Sequence, residues 1–122
     1  MTRILVVDRD STVTSAFERF FRERHIDVVT APDLAQAIEG PGGVCDLILV
    51  DELPGGVTRE QAAEIHERNY RTLTPVIAMT GTKLSSEQWK ALGYSGYLPK
   101  PFSASQVRES LARWVPDLAR IN

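Results

Sequence analysis

Apolar runs alternate with amphipathic stretches along the chain. Ile4-Leu5-Val6-Val7 is short, β-branched and ends at Asp8, the pattern of a buried strand. From Ser11 to Arg24, Val13, Phe17, Phe20 and Phe21 recur at helical spacing, with Asp10 or Ser11 as the N-cap. Ile26 to Thr30 predicts a second strand. Pro32 to Glu39 predicts a short helix with Pro32 in its first turn, closed by Gly40-Pro41-Gly42-Gly43. Leu47 to Val50 predicts a third buried strand that ends at Asp51. Beyond the loop Pro54-Gly55-Gly56, Thr58 caps a helix through Arg71 that turns Ala62, Ile65 and Tyr70 inward. Pro75 to Met79 reads as a fourth strand. Leu84 to Leu92 reads as a short helix that Gly93 terminates. Tyr97-Leu98 is a fifth strand, and Ser103 caps a last helix to Val115, where Pro116 stops it.

Five strands alternating with five helices, the strands strongly apolar, imply a parallel sheet covered on both faces. Right-handed crossovers then give an α/β, doubly wound, five-stranded sandwich of three layers. In such sheets ligands bind beyond the carboxyl ends of the strands. The residues there are Asp8, Arg9 and Asp10 after the first strand, Asp51 after the third, Thr80 after the fourth and Lys100 after the fifth. Acids, a hydroxyl and a lysine from distant parts of the chain thus converge on one edge.

The 122 residues are enough for one domain, 1–122, with 116–122 as a tail or the start of a linker. Hydrophobic residues at 43% and charged residues at 25% are the composition of a soluble globular domain. The net charge of -2 gives no long-range attraction to nucleic acid or to an anionic membrane. A single cysteine, Cys45, excludes an intrachain disulfide and a cysteine-based zinc site, which suits a reducing cytoplasm. No apolar run approaches the roughly 20 residues of a membrane span. Met1-Thr2-Arg3 leads straight into a strand, so no signal peptide is expected. His25 and His66 have no neighbours in sequence that would make a metal site or a proton relay. Trp89 and Trp114 read as packing residues, with exposure at a partner face as the second reading for Trp89.

Two acids at the end of one strand and a third from another suit a hard divalent cation such as Mg²⁺. A carboxylate beside such an ion can attack a phosphoryl group and become an aspartyl phosphate, with a hydroxyl and an ammonium on the phosphoryl oxygens. Asp51, Thr80 and Lys100 are the residue types that chemistry requires. At this point the chain resembles the receiver domains of two-component response regulators, the CheY-like fold. The resemblance rests on Ile4-Leu5-Val6-Val7-Asp8, Asp46-Leu47-Ile48-Leu49-Val50-Asp51, Pro75-Val76-Ile77-Ala78-Met79-Thr80 and Gly96-Tyr97-Leu98-Pro99-Lys100-Pro101-Phe102. It implies that Asp51 is the phosphoacceptor and Asp8 the first acid of a metal-binding pair. Thr80 is then the hydroxyl that follows the phosphoryl group, and Lys100 the lysine that contacts it. Leu53, two residues after the acceptor, would give a backbone carbonyl to the metal. Lys100-Pro101 would be cis, and Tyr97 would be an aromatic switch. The implied partners are a histidine kinase or phosphotransferase and a downstream protein on the face of the fourth helix, fifth strand and fifth helix. The chain would act as a cytoplasmic monomer or weak homodimer, without enzymatic activity beyond self-catalysed phosphotransfer and dephosphorylation.

The chain departs from the family where its chemistry is set. Arg9 stands where the family has a second acid, and Asp10 is one residue too far along. The loop after Asp51 is one residue short before Pro54, and Trp89 falls where a small residue is usual. A guanidinium near Asp51 would supply the charge a metal supplies; at ~4 Å and an effective dielectric of ~20 the pair is worth about 4 kcal/mol before desolvation. Mg²⁺ binding is therefore expected to be weakened or absent. Two alternatives follow. One is a pseudo-receiver, a phosphorylation-independent interaction module with Arg9 replacing the metal. The other is a haloacid-dehalogenase-like phosphatase, since Asp8-Arg9-Asp10 resembles that family's Asp-x-Asp motif, with Asp8 as nucleophile and Asp10 as general acid.

Overall fold

The computed structural model of the protein describes residues 2–33, 36, 45–51, 74–116 and 118. Five strands form one sheet: β1 (Arg3–Val7), β2 (Asp27–Ala31), β3 (Leu47–Asp51), β4 (Val76–Thr80) and β5 (Gly96–Pro99). Their order across the sheet is β2-β1-β3-β4-β5, every pair parallel. The described helices are α1 (Ser11–Arg22), α2 (Ser86–Ala91) and α3 (Ala104–Leu111). The expected helix over Pro32–Glu39 is described only at Pro32, Asp33 and Gln36, where Asp33 Oδ1 accepts from Gln36 N at 2.8 Å. The expected helix from Thr58 to Arg71 lies outside the described residues, with Ala62, Ile65, His66 and Tyr70.

The central strands β1, β3 and β4 are buried on both faces because each alternates between two apolar clusters. Ile4, Val6, Leu47, Leu49, Ile77, Met79 and Leu98 meet Phe17 and Phe21 of α1 and Val107 and Leu111 of α3. Leu5, Val7, Ile48, Val50, Val76 and Ala78 meet Trp89 and Tyr94 on the other side. Each core side chain removed from water on these faces is worth about 1.5–3 kcal/mol, which is why continuous apolar runs give central strands here. Cys45 is buried in the second cluster, and burial pushes its thiol up to about 11.

The helix starts follow local hydrogen bonding. Asp10, rather than Ser11, caps α1 by accepting from Thr12 N at 2.9 Å. Ser85 caps α2 and Ser103 caps α3, each in a reciprocal capping box with Gln88 and Gln106. Leu84, expected inside the helix, precedes the cap and packs on the core. The last regular helix ends at Leu111, four residues short of the expected Val115, and Val115 N still reaches Leu111 O at 2.8 Å. Trp114 then lies over the start of β5. A Cβ on Gly96 would come within 2.6 Å of Trp114 Cη2, so that contact requires a residue without a side chain.

Candidate functional site: an acid–lysine pocket at the carboxyl edge of the sheet

Parallel pairing of β1 with β3 sets Val7 opposite Val50, so Asp8 and Asp51 emerge side by side from adjacent strands. Asp8 extends the ladder, its N–H donating to Ala31 O at 3.0 Å, and is only 4% exposed. Its Oδ1 accepts from Asp10 N at 2.9 Å. From the far end of the sheet, Lys100 brings Nζ to 2.8 Å from Asp51 Oδ1 and 3.8 Å from Asp8 Oδ2. Lys100 N also donates to Thr80 O at 2.7 Å, which ties the lysine to the end of β4. Thr80 is buried, and its hydroxyl oxygen accepts from Thr82 N at 2.9 Å. The Lys100–Pro101 peptide is cis, as expected. Sheet geometry thus assembles four of the anticipated residues, Asp8, Asp51, Thr80 and Lys100, at one edge.

Two carboxylates face one ammonium in this pocket. Burial pushes the Asp8 carboxyl above its ordinary range; the Asp10 N–H opposes that rise, the charge of Asp51 adds to it, and Lys100 opposes it less strongly. Among the described residues, buried Asp8 Oδ2 has no hydrogen-bond partner. An orphaned carboxylate oxygen beside a second carboxylate is an unfavourable arrangement that a cation relieves.

The Arg9–Asp51 pair expected from the sequence is not formed. Arg9 is exposed, and among the described residues it makes no ion pair with Asp51, whose carboxylate meets Lys100 instead. The physical reason is strand alternation: Asp8 turns in at the end of β1, so its neighbour turns out. Asp10 is spent on the cap of α1, so it does not stand over Asp8 as the general acid of the phosphatase reading. Leu53 lies outside the described residues. Tyr97 is exposed on β5, and Trp89 is fully buried beneath it, which decides between the two readings of Trp89.

A family model described as the response regulator receiver domain matches residues 4–112. The chain belongs to that family. The Escherichia coli K12 transcriptional regulatory protein CpxR is 33% identical over 119 residues, spanning 93% of this chain and 47% of CpxR. The Pseudomonas aeruginosa transcriptional activator protein PfeR is 29% identical over 110 residues, 86% of this chain and 35% of PfeR. The receiver therefore spans about half the length, or less, of these curated relatives. Among solved structures, the chemotaxis response regulator CheY4 of Vibrio cholerae shares the fold, with a TM-score of 0.78 at 24% identity over 93% of this chain and 98% of CheY4. The receiver domain of the sensor histidine kinase PA1611 from Pseudomonas aeruginosa has a TM-score of 0.72 at 27% identity, covering 94% and 98%. In that structure a magnesium ion is coordinated in the active site cleft.

Receiver domains are generally non-enzymatic signalling domains, and response regulators interact with histidine kinases and downstream effectors. They typically bind Mg²⁺ in their acidic pocket. The residues here fit a hydrated ion of that kind: Asp8 offers its orphaned Oδ2 and Asp51 lies beside it, and Mg²⁺ needs only one or two carboxylates when water and phosphoryl oxygens complete its shell. Among the described residues no third acid, histidine or cysteine joins them. No described helix is long and apolar enough to cross a membrane. Sequence reasoning missed the orphaned Asp8 oxygen and the stacking of Trp89 on Tyr97. The second had a signal, an oversized residue four positions before the helix-ending Gly93.

Proposed function

We propose that Asp51 accepts a phosphoryl group from a histidine kinase or phosphotransferase and that the loaded domain contacts a downstream protein. The observation that carries this reading is the Lys100 ammonium, 2.8 Å from Asp51 and 3.8 Å from Asp8 at the carboxyl edge of the sheet. An Asp51 carboxylate oxygen attacks phosphorus. The bond from phosphorus to the donor breaks, and the donor atom leaves with the electron pair. The product is an acyl phosphate on Asp51. Lys100 and the Thr80 hydroxyl meet the transferred oxygens. Asp8 and Asp51, with the Leu53 carbonyl, are the groups that would hold Mg²⁺, which when bound neutralises charge on the phosphoryl oxygens. Arg9, a cation where an acid is usual, weakens that binding without entering the pocket. The partner surface is the face of α2, β5 and α3 around Tyr97. The chain works in the cytoplasm as one domain, a monomer or weak homodimer, with no nucleic acid or membrane contact of its own and no catalysis beyond its own phosphorylation and dephosphorylation.

Intact mass after incubation with acetyl phosphate, with and without Mg²⁺, tests this. The expected result is a gain of one phosphoryl group that Asp51→Asn abolishes. An equal gain in Asp51→Asn would sink the assignment. Arg9→Asp is expected to tighten Mg²⁺ binding about tenfold by restoring the missing charge, read from amide shifts on metal titration.

A further inference from the structure

Asp8 is the more deeply buried of the two pocket acids, its side chain 2% exposed against 16% for Asp51. What aims its carboxylate lies outside the pocket. Asp10 N donates to Asp8 Oδ1 at 2.9 Å, closing a turn that passes over residue 9. One oxygen is thereby taken by a main-chain N–H. The other, Oδ2, is the one that lies 3.8 Å from Lys100 Nζ.

Asp10 is fixed in turn by α1. Its backbone is extended, at φ -80 and ψ 108, and its Oδ1 accepts from Thr12 N at 2.9 Å. Its carbonyl accepts from Val13 N at 3.0 Å and from Thr14 N at 3.1 Å. Phe17 and Phe21 anchor that helix in the core. The N–H, carbonyl and side chain of one residue therefore tie a pocket acid to a packed helix. Arg9, exposed, lies inside the turn and makes none of these bonds, so the turn tolerates a cation there. Groups that orient a metal ligand from behind typically change metal affinity by about 10–100-fold when removed.

We propose that Asp10 is a positioning residue for the pocket: through its main-chain N–H it holds Asp8 with Oδ2 alone turned toward an incoming cation. The cation half of this statement rests on Asp8 as a Mg²⁺ ligand under the proposed function; the hold itself is a property of the metal-free chain.

The test is NMR on the full chain without phosphodonor, as wild type, Asp10→Asn, Asp10→Ala and Asp10→Pro. Asparagine keeps the cap and the N–H and removes only the charge. Alanine loses the cap and keeps the N–H. Proline suits a φ of -80 and removes the N–H as well. Three-bond couplings report the Asp8 rotamer, and amide shifts on Mg²⁺ titration give Kd. Wild type and Asp10→Asn are expected to show one Asp8 rotamer and the same Kd within error. Asp10→Pro is expected to show rotamer averaging and a Kd about tenfold weaker than wild type, with Asp10→Ala between them. Ser85→Ala, which removes the cap of α2, should keep the wild-type Kd. Asp10→Asn as weak as Asp10→Pro would make Asp10 a charge and not a hold, and overturns the proposal. So does a folded Asp10→Pro in which Asp8 keeps one rotamer, or a Ser85→Ala as weak as Asp10→Ala. Should Asp10→Pro not fold, Asp10→Ala against Asp10→Asn decides, and equal rotamers and Kd overturn the hold. Wild type without a Mg²⁺ response would count against Asp8 as a metal ligand alone, and the rotamers would still decide the hold.

Discussion

Both ends of the sheet hold one cation near two acids. At the amino edge Arg3 Nε meets Asp27 Oδ2 at 2.8 Å, and Arg3 N donates to Asp46 Oδ2 at 2.8 Å. At the carboxyl edge Lys100 meets Asp51 and, more distantly, Asp8. The charge count is the same; the access of water is not. The Arg3 and Asp27 side chains are 44% and 40% exposed, whereas those of Lys100, Asp51 and Asp8 are 32%, 16% and 2% exposed. Water screens the first cluster, so its contribution to stability is small. The second keeps an acid whose protonated form burial favours and an oxygen without a hydrogen-bond partner among the described residues. Identical arithmetic therefore gives a surface tie at one end and, at the other, a site whose free energy falls when a cation arrives.

The largest effect is expected on removing the half-buried cation of the carboxyl edge. Lys100→Met removes the ammonium that faces both Asp8 and Asp51. It should destabilise the fold by about 2 kcal/mol at neutral pH, below the usual cost of breaking a buried pair because Lys100 is partly solvated. Urea denaturation measures it. A stability equal to wild type would mean that water already screens the pocket and that the two ends do not differ as described.

Asp8→Asn should act in the opposite direction. It removes the charge that burial disfavours and offers an amide in place of the orphaned oxygen. Stability is expected to rise by about 1 kcal/mol, while the response to Mg²⁺ is lost. A fall in midpoint would show that Asp8 is stabilised by contacts the pocket geometry does not contain.

The asymmetry between the ends is partly legible in the amino-acid sequence. Asp8, Asp51, Thr80 and Lys100 all follow apolar strands, and parallel pairing sends every such end to one edge, so their convergence follows from pattern alone. The strand set is equally legible, because continuous β-branched runs admit few other arrangements. Where the pattern misleads, the cause is orientation. Whether Arg9 turns toward Asp51 depends on the pleat at one residue, and the fold turns Asp8 in and Arg9 out. Asp10 shows the same limit from the other side: its cap on α1 is written in the sequence and leaves no acid for a second role. The stack of Trp89 on Tyr97 needs two elements docked at a particular depth, which periodicity does not encode. Trp114, three residues beyond the end of α3, packs over Gly96, a contact that periodicity does not encode either.

A smaller effect appears in the pH dependence. The Asp8 pKa is raised in the folded state above its ordinary 3.8, so between the two values the folded protein binds more protons than the unfolded one. Its contribution is least favourable at neutral pH and recovers as pH falls through the raised value. The advantage of Asp8→Asn over wild type should accordingly be greatest at neutral pH and shrink toward pH 3.8, followed by thermal melts. An advantage that grows in acid would reverse the assigned direction.

The smallest effect belongs to the amino edge. In Arg3→Met the bond from the residue 3 N–H to Asp46 survives, because it is a backbone bond. Asp27 loses its partner but keeps its water. The guanidinium stays protonated across the accessible pH range, since Asp27 raises its pKa further. The melting temperature should match wild type within error, and added salt should erase any residual gap. If Arg3→Met instead destabilised the fold as much as Lys100→Met, exposure would not be what separates the two ends. The pocket's special status would then have to come from the identity of its acids, and Asp8→Asn would be the variant to weigh against Asp27→Asn under the same conditions.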